Sequence, residues 1–226
     1  MSGQQRTHKG HEARRQELLE AGLALFGTRS YEEVSIDDIA GALGVSKGLM
    51  YHYFGSKRGL YVEVIRLAAA RLARTIEPDP ARSPEENLVG GLNAYFDFVE
   101  ERAEAYAALM QSGLGVDRAV GEILDETRYE IGAMLLQAVG IDEATPATRM
   151  AVRAWLGSVE AAGQDWIRHR DVAREDMIDA LSASLIVMLV RSFGQLDGQI
   201  VSELLGSELG RRMVEFFWNG FMRRGA

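Results

Sequence analysis

Cysteine is absent from the 226 residues. That excludes disulfides and cysteine-ligated zinc, and it fits a reducing cytoplasm. No apolar stretch follows the first residues, so no secretory signal is expected. The charge-free apolar run Ala180–Val190 is too short to span a bilayer, which takes about 20 residues. A cytoplasmic protein without a membrane partner is the expectation. Proline is scarce, at four residues, and long stretches repeat apolar positions with a 3.6-residue period. No convincing strand, repeat or low-complexity segment interrupts them. The expected fold class is all-α, ending in a helical bundle.

The signatures of catalysis and cofactor binding are also missing. There is no His-Glu-x-x-His, no phosphate-cradling loop ending in Gly-Lys-Ser/Thr and no dinucleotide fingerprint. Of the four histidines, His8 and His11 lie in the polar start of the chain, and no third ligand accompanies them. No metal and no cofactor is expected. Asp37/Asp38 and Glu100/Glu101 are sequence neighbours, hence splayed apart on a helix, and read as solvated surface. Gly44-Val45-Ser46-Lys47-Gly48 matches the Gly-x-Ser-x-Gly elbow of hydrolases. That elbow needs a strand before the serine and a parallel sheet around it; here a helix precedes Ser46. A hydrolase using Ser46 is the weakest reading, and no enzyme is expected.

Formal net charge is −8. Its distribution is uneven. Residues 1–60 carry eight Lys/Arg against seven Asp/Glu, giving +1, and the remainder carries −9. What polyanion binding requires is positive charge on one local face, and net charge does not decide it. The modest local excess makes specificity lean on dimerisation.

Ser35–Phe54 reads as two short helices with a tight turn between. Ser35 is a good N-cap. Ile36, Ile39, Ala40 and Leu43 then fall on one buried face, and Gly44 stands where the chain turns sharply. Val45 plugs the gap, and Ser46 caps the second helix. Leu49, Met50, Tyr53 and Phe54 form its inner face, leaving Lys47, Gly48, Tyr51 and His52 outside. This is a helix-turn-helix pattern, with the second helix offered to the major groove. Lys47 is suited to a guanine edge or a phosphate, and Gly48 permits close backbone approach. Tyr51, His52 and Tyr53 are suited to phosphate oxygens. Lys57 stands at the start of the following helix, where the dipole also favours an anion.

Residues 14 to 67 resemble the DNA-binding domain of the TetR family of bacterial repressors. The resemblance rests on Leu25-Phe26, Ile39-Ala40, Gly44-Val45-Ser46, Met50-Tyr51-His52-Tyr53-Phe54 and Lys57, with matching spacing throughout. It implies that Ser35, Lys47, Gly48, Tyr51, Tyr53 and Lys57 line a double-stranded DNA operator; Ser46, Leu49 and His52 complete the candidate surface. Leu49 stands where the family often has Thr, which exchanges a hydroxyl for an apolar contact with a thymine methyl. Ser30 stands where the family often has Gly.

The expected organisation is a disordered tail over 1–10, a DNA-binding head over 11–60 and an effector-binding and dimerisation domain over 61–226. The tail has a second reading, as a basic arm entering a minor groove. The first helix is expected at roughly 11–26, and Arg14 and Arg15 on it are candidate phosphate contacts. The fourth helix, from Ser56 to about Ile76, is expected to run from the head into the second domain and to couple them. Ser83-Pro84-Glu85-Glu86 announces the next helix by cap, proline and capping box; Thr145-Pro146 repeats the start. Further helices are expected at about 84–101, 103–111, 117–139, 146–169, 174–194 and 200–223.

In the second domain Ala151, Ala154, Gly157, Ser158, Ala161 and Ala162 are small enough for close approach of another helix. In TetR-like proteins the two helices before the C-terminal one pair with their symmetry mates, so the resemblance implies a homodimer. Phe96, Tyr106, Met110, Met134, Trp155 and Trp166 read first as core, and second as the lining of an apolar effector cavity. Ala94–Tyr106, with Trp166-Ile-Arg-His-Arg later, is similar to TetR regulators of fatty-acid metabolism that respond to long-chain acyl-CoA. The functional expectation is a ligand-responsive, DNA-binding transcriptional regulator, a repressor by family default. The alternative is a helical ligand- or protein-binding dimer that no longer reads DNA.

Overall fold

The computed structural model describes residues 2–103, 106 and 118–192, with 2–10 as backbone alone. Every regular element among them is an α-helix. These are α1 (Ser2–Phe26), α2 (Ile36–Leu43), α3 (Lys47–Phe54), α4 (Lys57–Thr75), α5 (Pro84–Glu101), α6 (Arg118–Ala138), α7 (Pro146–His169) and α8 (Arg174–Ser192). The helices expected over 103–111 and 200–223 lie outside the described residues, Ala103 and Tyr106 apart.

The helix boundaries follow local chemistry. Ser83 accepts from the Glu86 N–H at 3.1 Å while the Glu86 carboxylate accepts from the Ser83 N–H at 2.8 Å, a reciprocal box ahead of α5. Thr145 caps α7 through the Thr148 N–H at 3.1 Å, with Pro146 in its first turn. Arg170 ends α7 at φ 53°, the one non-glycine left-handed residue among the described ones. The beginning of α1 differs from expectation. Helix was expected from about His11 after a disordered tail, and α1 starts at Ser2. Gln4, Gln5 and Arg6 are straight-chain residues that lose little freedom in a helix, so polarity alone does not mark a tail.

The chain divides into two compact units. One comprises Met1–Thr75 with Asp97–Thr127, the other Ile76–Phe96 with Arg128–Ala226. The first unit thus carries all of α4 and the first half of α6 as well as the helix-turn-helix.

In the first unit, Leu18, Leu19, Phe26, Val34, Ile36, Ile39, Ala40, Met50, Leu60 and Val64 form one core shared by α1 to α4. The α1–α4 crossing is close because Gly22 has no side chain: a Cβ there would stand 2.9 Å from Val64 Cγ2. Arg15–Glu63 at 2.6 Å and Arg71–Glu20 fasten the same pair of helices. A second face of α4, with Ile65, packs on Val120 and Ile123 of α6.

In the second unit α7 and α8 form an antiparallel hairpin around Leu92, Phe96, Leu136, Val152, Trp155, Leu156, Val159, Trp166 and the α8 residues Met177, Ile178, Leu181, Leu185 and Leu189. The indole N–H of Trp155 donates to the Leu181 carbonyl at 2.8 Å, and that of Trp166 to the Val172 carbonyl at 3.1 Å. Each ring is thereby buried with its polar end satisfied. Arg128 of α6 grips Glu160 of α7 through two parallel bonds of 2.6 and 2.9 Å.

Candidate nucleic-acid interface

The interface begins at the start of α2. Ser35 sits in extended backbone and its Oγ accepts from the Asp38 N–H at 3.1 Å. The Asp38 carboxylate in turn accepts from the Ser35 N–H at 2.8 Å and from the Ser35 hydroxyl at 2.7 Å. Those bonds hold the Asp38 carboxyl below the usual aspartate range, with Arg29 and Lys57 adding attraction. A carboxylate with a lowered pKa stabilises the folded state above its unfolded pKa, and loses that contribution as pH falls through the folded value. We therefore expect Asp38→Asn to melt below the wild-type protein at neutral pH. The difference should shrink once pH drops below about 4, where unfolded aspartate protonates. Thermal unfolding across that range checks it; a constant difference would refute the assignment.

The turn follows from Gly44, which ends α2 in the left-handed region at φ 62°. The Val45 N–H returns to the Ala40 carbonyl at 2.9 Å. Ser46 then caps α3 by accepting from the Leu49 N–H at 3.2 Å. Its hydroxyl therefore belongs to a helix cap between two helices, the opposite of a strand-borne nucleophile. Met50 is the buried anchor of α3. Gly55, at φ 72°, closes α3 by donating to the Tyr51 carbonyl, and Ser56 accepts from the Gly59 N–H at 2.9 Å to start α4.

Of the nine candidate residues, Ser35, Ser46, Lys47, Gly48, Tyr51 and His52 are exposed, and Leu49, Tyr53 and Lys57 are half-buried. Ser35 caps α2, Ser46 caps α3, Lys57 opens α4, and the other six lie on α3. Several are held by residues that sequence reasoning did not assign to the site. Lys47 Nζ lies 2.5 Å from Asp37 Oδ2, so the first turns of α2 and α3 are tied at their outer edge. Lys57 lies over the Tyr31 ring at 4.2 Å, which fixes where its ammonium stands. His11 of α1 meets the Tyr53 ring at a tilt, centroids 4.5 Å apart, and His52 edge-on at 6.2 Å. The Asp37–Lys47 tie was foreshadowed by opposite charges in the first turns of adjacent helices; the other two contacts carry no local signal. Arg14 pairs with Glu17, whereas Arg15 is tied to Glu63 and lies 5.7 Å over Phe54.

The candidate effector residues are distributed differently. Phe96, Trp155 and Trp166 belong to the core of the second unit, and Met134 is half-buried on α6. Tyr106 is buried in the first unit. Met110 lies outside the described residues. Among the described residues no helix is long and apolar enough to cross a membrane.

Comparison with known proteins converges on one family. Residues 18–64 match the family model described as "Bacterial regulatory proteins, tetR family", and residues 84–189 match "Tetracyclin repressor-like, C-terminal domain". A TetR-family transcriptional regulator from Streptomyces coelicolor, known from a crystal structure, is 30% identical. It superposes with a TM-score of 0.75 over 90% of this chain and 89% of its own. The HTH-type transcriptional activator FasR of Mycolicibacterium smegmatis is 31% identical over 102 residues, 44% of this chain and 46% of its own length. The HTH-type transcriptional repressor KstR2 of the same species is 35% identical over 92 residues, 40% of this chain and 45% of its own length. The chain thus spans about half the length of the curated relatives it matches.

Proposed function

Because this chain belongs to the TetR family of bacterial regulatory proteins, we propose that it represses transcription by binding a palindromic operator as a homodimer and that a small apolar effector changes that binding. The observation that carries the reading is the Ser46-capped α3, whose exposed edge presents Lys47, Gly48, Tyr51 and His52 together. Helix N-terminal residues are the ones that reach base edges when a recognition helix enters the major groove. Two such helices read successive grooves about 34–36 Å apart.

The exposed face of α7 supports the dimer. Ala154, Gly157 and Ala161 lie open, with Met150 beside them at 68% exposure, and a Cβ added at Gly157 would meet nothing within 4 Å. A second copy can approach such a face closely. The buried aromatic cluster of the second unit, Phe96 with Trp155 and Trp166, is where we place the effector, with Met134 of the same unit as further lining. Long-chain acyl-CoA is the first effector class to test. It acts only through a difference in affinity between operator-bound and free states. The DNA-binding head is assigned to 11–60 and effector binding and dimerisation to 61–226, in a cytoplasmic protein. The curated relatives include both an activator and a repressor by name, so a promoter-reporter fusion is the direct test of sign.

The binding test is fluorescence anisotropy against duplex DNA from the gene's own upstream region, at fixed salt, with and without long-chain acyl-CoA. Lys47→Ala and Tyr51→Phe should each weaken operator binding, the lysine change by about tenfold or more, with circular dichroism unchanged. Full-strength binding by both variants would remove α3 from the interface. Failure of the wild-type protein to select any sequence would favour the alternative, a helical dimer that does not read DNA.

A further inference from the structure

The Asp37–Lys47 pair points to more than a surface ion pair. Both side chains are more than half exposed, at 64% and 54%, and their charged atoms are 2.5 Å apart. An exposed pair of this kind adds little to stability. It stands at the first turns of α2 and α3, on the edge assigned above to the major groove. Once Lys47 engages DNA, the Asp37 carboxylate beside it faces a polyanion and needs a donor from the DNA. The only donors a base pair offers in that groove are the cytosine N4 and adenine N6 amino groups.

We propose that Asp37 is a specificity determinant and that Asp37 and Lys47 together read one G·C pair in each half-site. This rests on the DNA-reading function argued above. The order of groups along the pair edge decides which base pair fits. A G·C pair presents two adjacent acceptors, guanine N7 and O6, followed by the cytosine N4 donor. An ammonium beside a carboxylate is the complement of that order: Lys47 takes the two guanine acceptors and Asp37 accepts from N4. An A·T pair presents acceptor, donor, acceptor. It separates the two acceptors that Lys47 would share, and it places a thymine carbonyl beyond the donor that Asp37 would use. The lysine alone would favour guanine. The aspartate adds a penalty against any pair that leaves its charge unmatched, so it sharpens discrimination and lowers general affinity for DNA.

The test is parallel selection from one randomised duplex pool with the wild-type full chain, Asp37→Ala, Asp37→Asn and Lys47→Ala, followed by anisotropy on the recovered wild-type operator. The wild type should recover a palindrome with a fixed G·C pair in each half-site, and changing that pair to A·T should weaken binding by about tenfold or more. Asp37→Ala should relax the same position to within about twofold, keep the other positions, and bind non-operator duplex more tightly than wild type. Lys47→Ala should relax the same position while losing affinity. Three results would overturn the proposal. Asp37→Ala and Asp37→Asn could recover the wild-type consensus unchanged. Asp37→Ala could tighten binding to all sequences equally without relaxing any position, which would make Lys47 a phosphate contact and Asp37 only its brake. Or the wild type could select no sequence at all, which overturns the DNA-reading function itself and this inference with it.

Discussion

Gly59→Ala should disable the DNA-binding head more completely than any change on its outer surface. A Cβ at residue 59 would stand 2.2 Å from the Phe54 carbonyl oxygen. That atom is backbone at the end of α3, so no side-chain rotation relieves the overlap. The turn itself has to open. Ser56, whose hydroxyl receives the Gly59 N–H, and Lys57, seated over Tyr31, would both move with it. Overpacking of this kind costs about 1–3 kcal/mol, occasionally more. Losing one charge-assisted phosphate contact per head, at about 1.5 kcal/mol each for two heads, would lower operator affinity roughly a hundredfold. Thermal unfolding and anisotropy on the variant measure both effects. Wild-type melting and wild-type binding together would mean that the α3–α4 turn does not bring the Phe54 carbonyl against residue 59.

That glycine shows where sequence reading stopped. The caps were legible because each is a local statement: Ser35, Ser46, Ser83 and Thr145 precede helical apolar patterns, and all four accept from the third residue onward. Gly44 was legible because a helix-turn-helix needs a left-handed residue there. Gly59 sits inside the first turn of α4, where propensity alone would favour Ala. What requires it is the approach of another segment's backbone, and no local pattern encodes that. The same holds for Tyr31 beneath Lys57 and His11 on Tyr53, which meet across 26 and 42 positions of chain.

The bundle was legible in a different way. The spans 84–101 and 146–169 agree with the structure to the residue, because a serine or threonine cap followed by proline fixes the beginning and a left-handed residue or a turn fixes the end. Composition could not say what its aromatics are for. Phe96, Trp155 and Trp166 are equally suited to a close-packed core and to an effector wall, and the structure places them in the continuous core of the second unit with both indole N–H groups bonded to carbonyls. Periodicity identifies a buried face. It does not distinguish a filled interior from one that a ligand fills.

Phe96→Ala separates those two roles. The ring is fully buried and meets Trp166 edge-to-face at 5.9 Å and Tyr95 at 5.2 Å. Truncating such a residue costs about 3–5 kcal/mol, from lost transfer energy and the cavity left behind. That is a large part of the 5–15 kcal/mol typical of a whole domain. For a chain of this size the melting temperature should fall by roughly 6–20 °C. An apolar cavity that stays dry can be refilled by an apolar ligand, so the variant's stability should recover on adding one. If Phe96 is core alone, the variant recovers with any small apolar compound that fits, while operator binding keeps its wild-type response to effector. If Phe96 lines the effector seat, the effector response is lost or its concentration dependence shifts, and the volume-sparing Phe96→Leu shifts it too while retaining most of the stability. Thermal unfolding with and without a benzene-sized ligand, run beside the effector titration of operator binding, reads both. A Phe96→Ala protein that melts with the wild type would exclude the core role, because a ring cannot be removed from a packed interior without cost; an unchanged effector response would exclude the other.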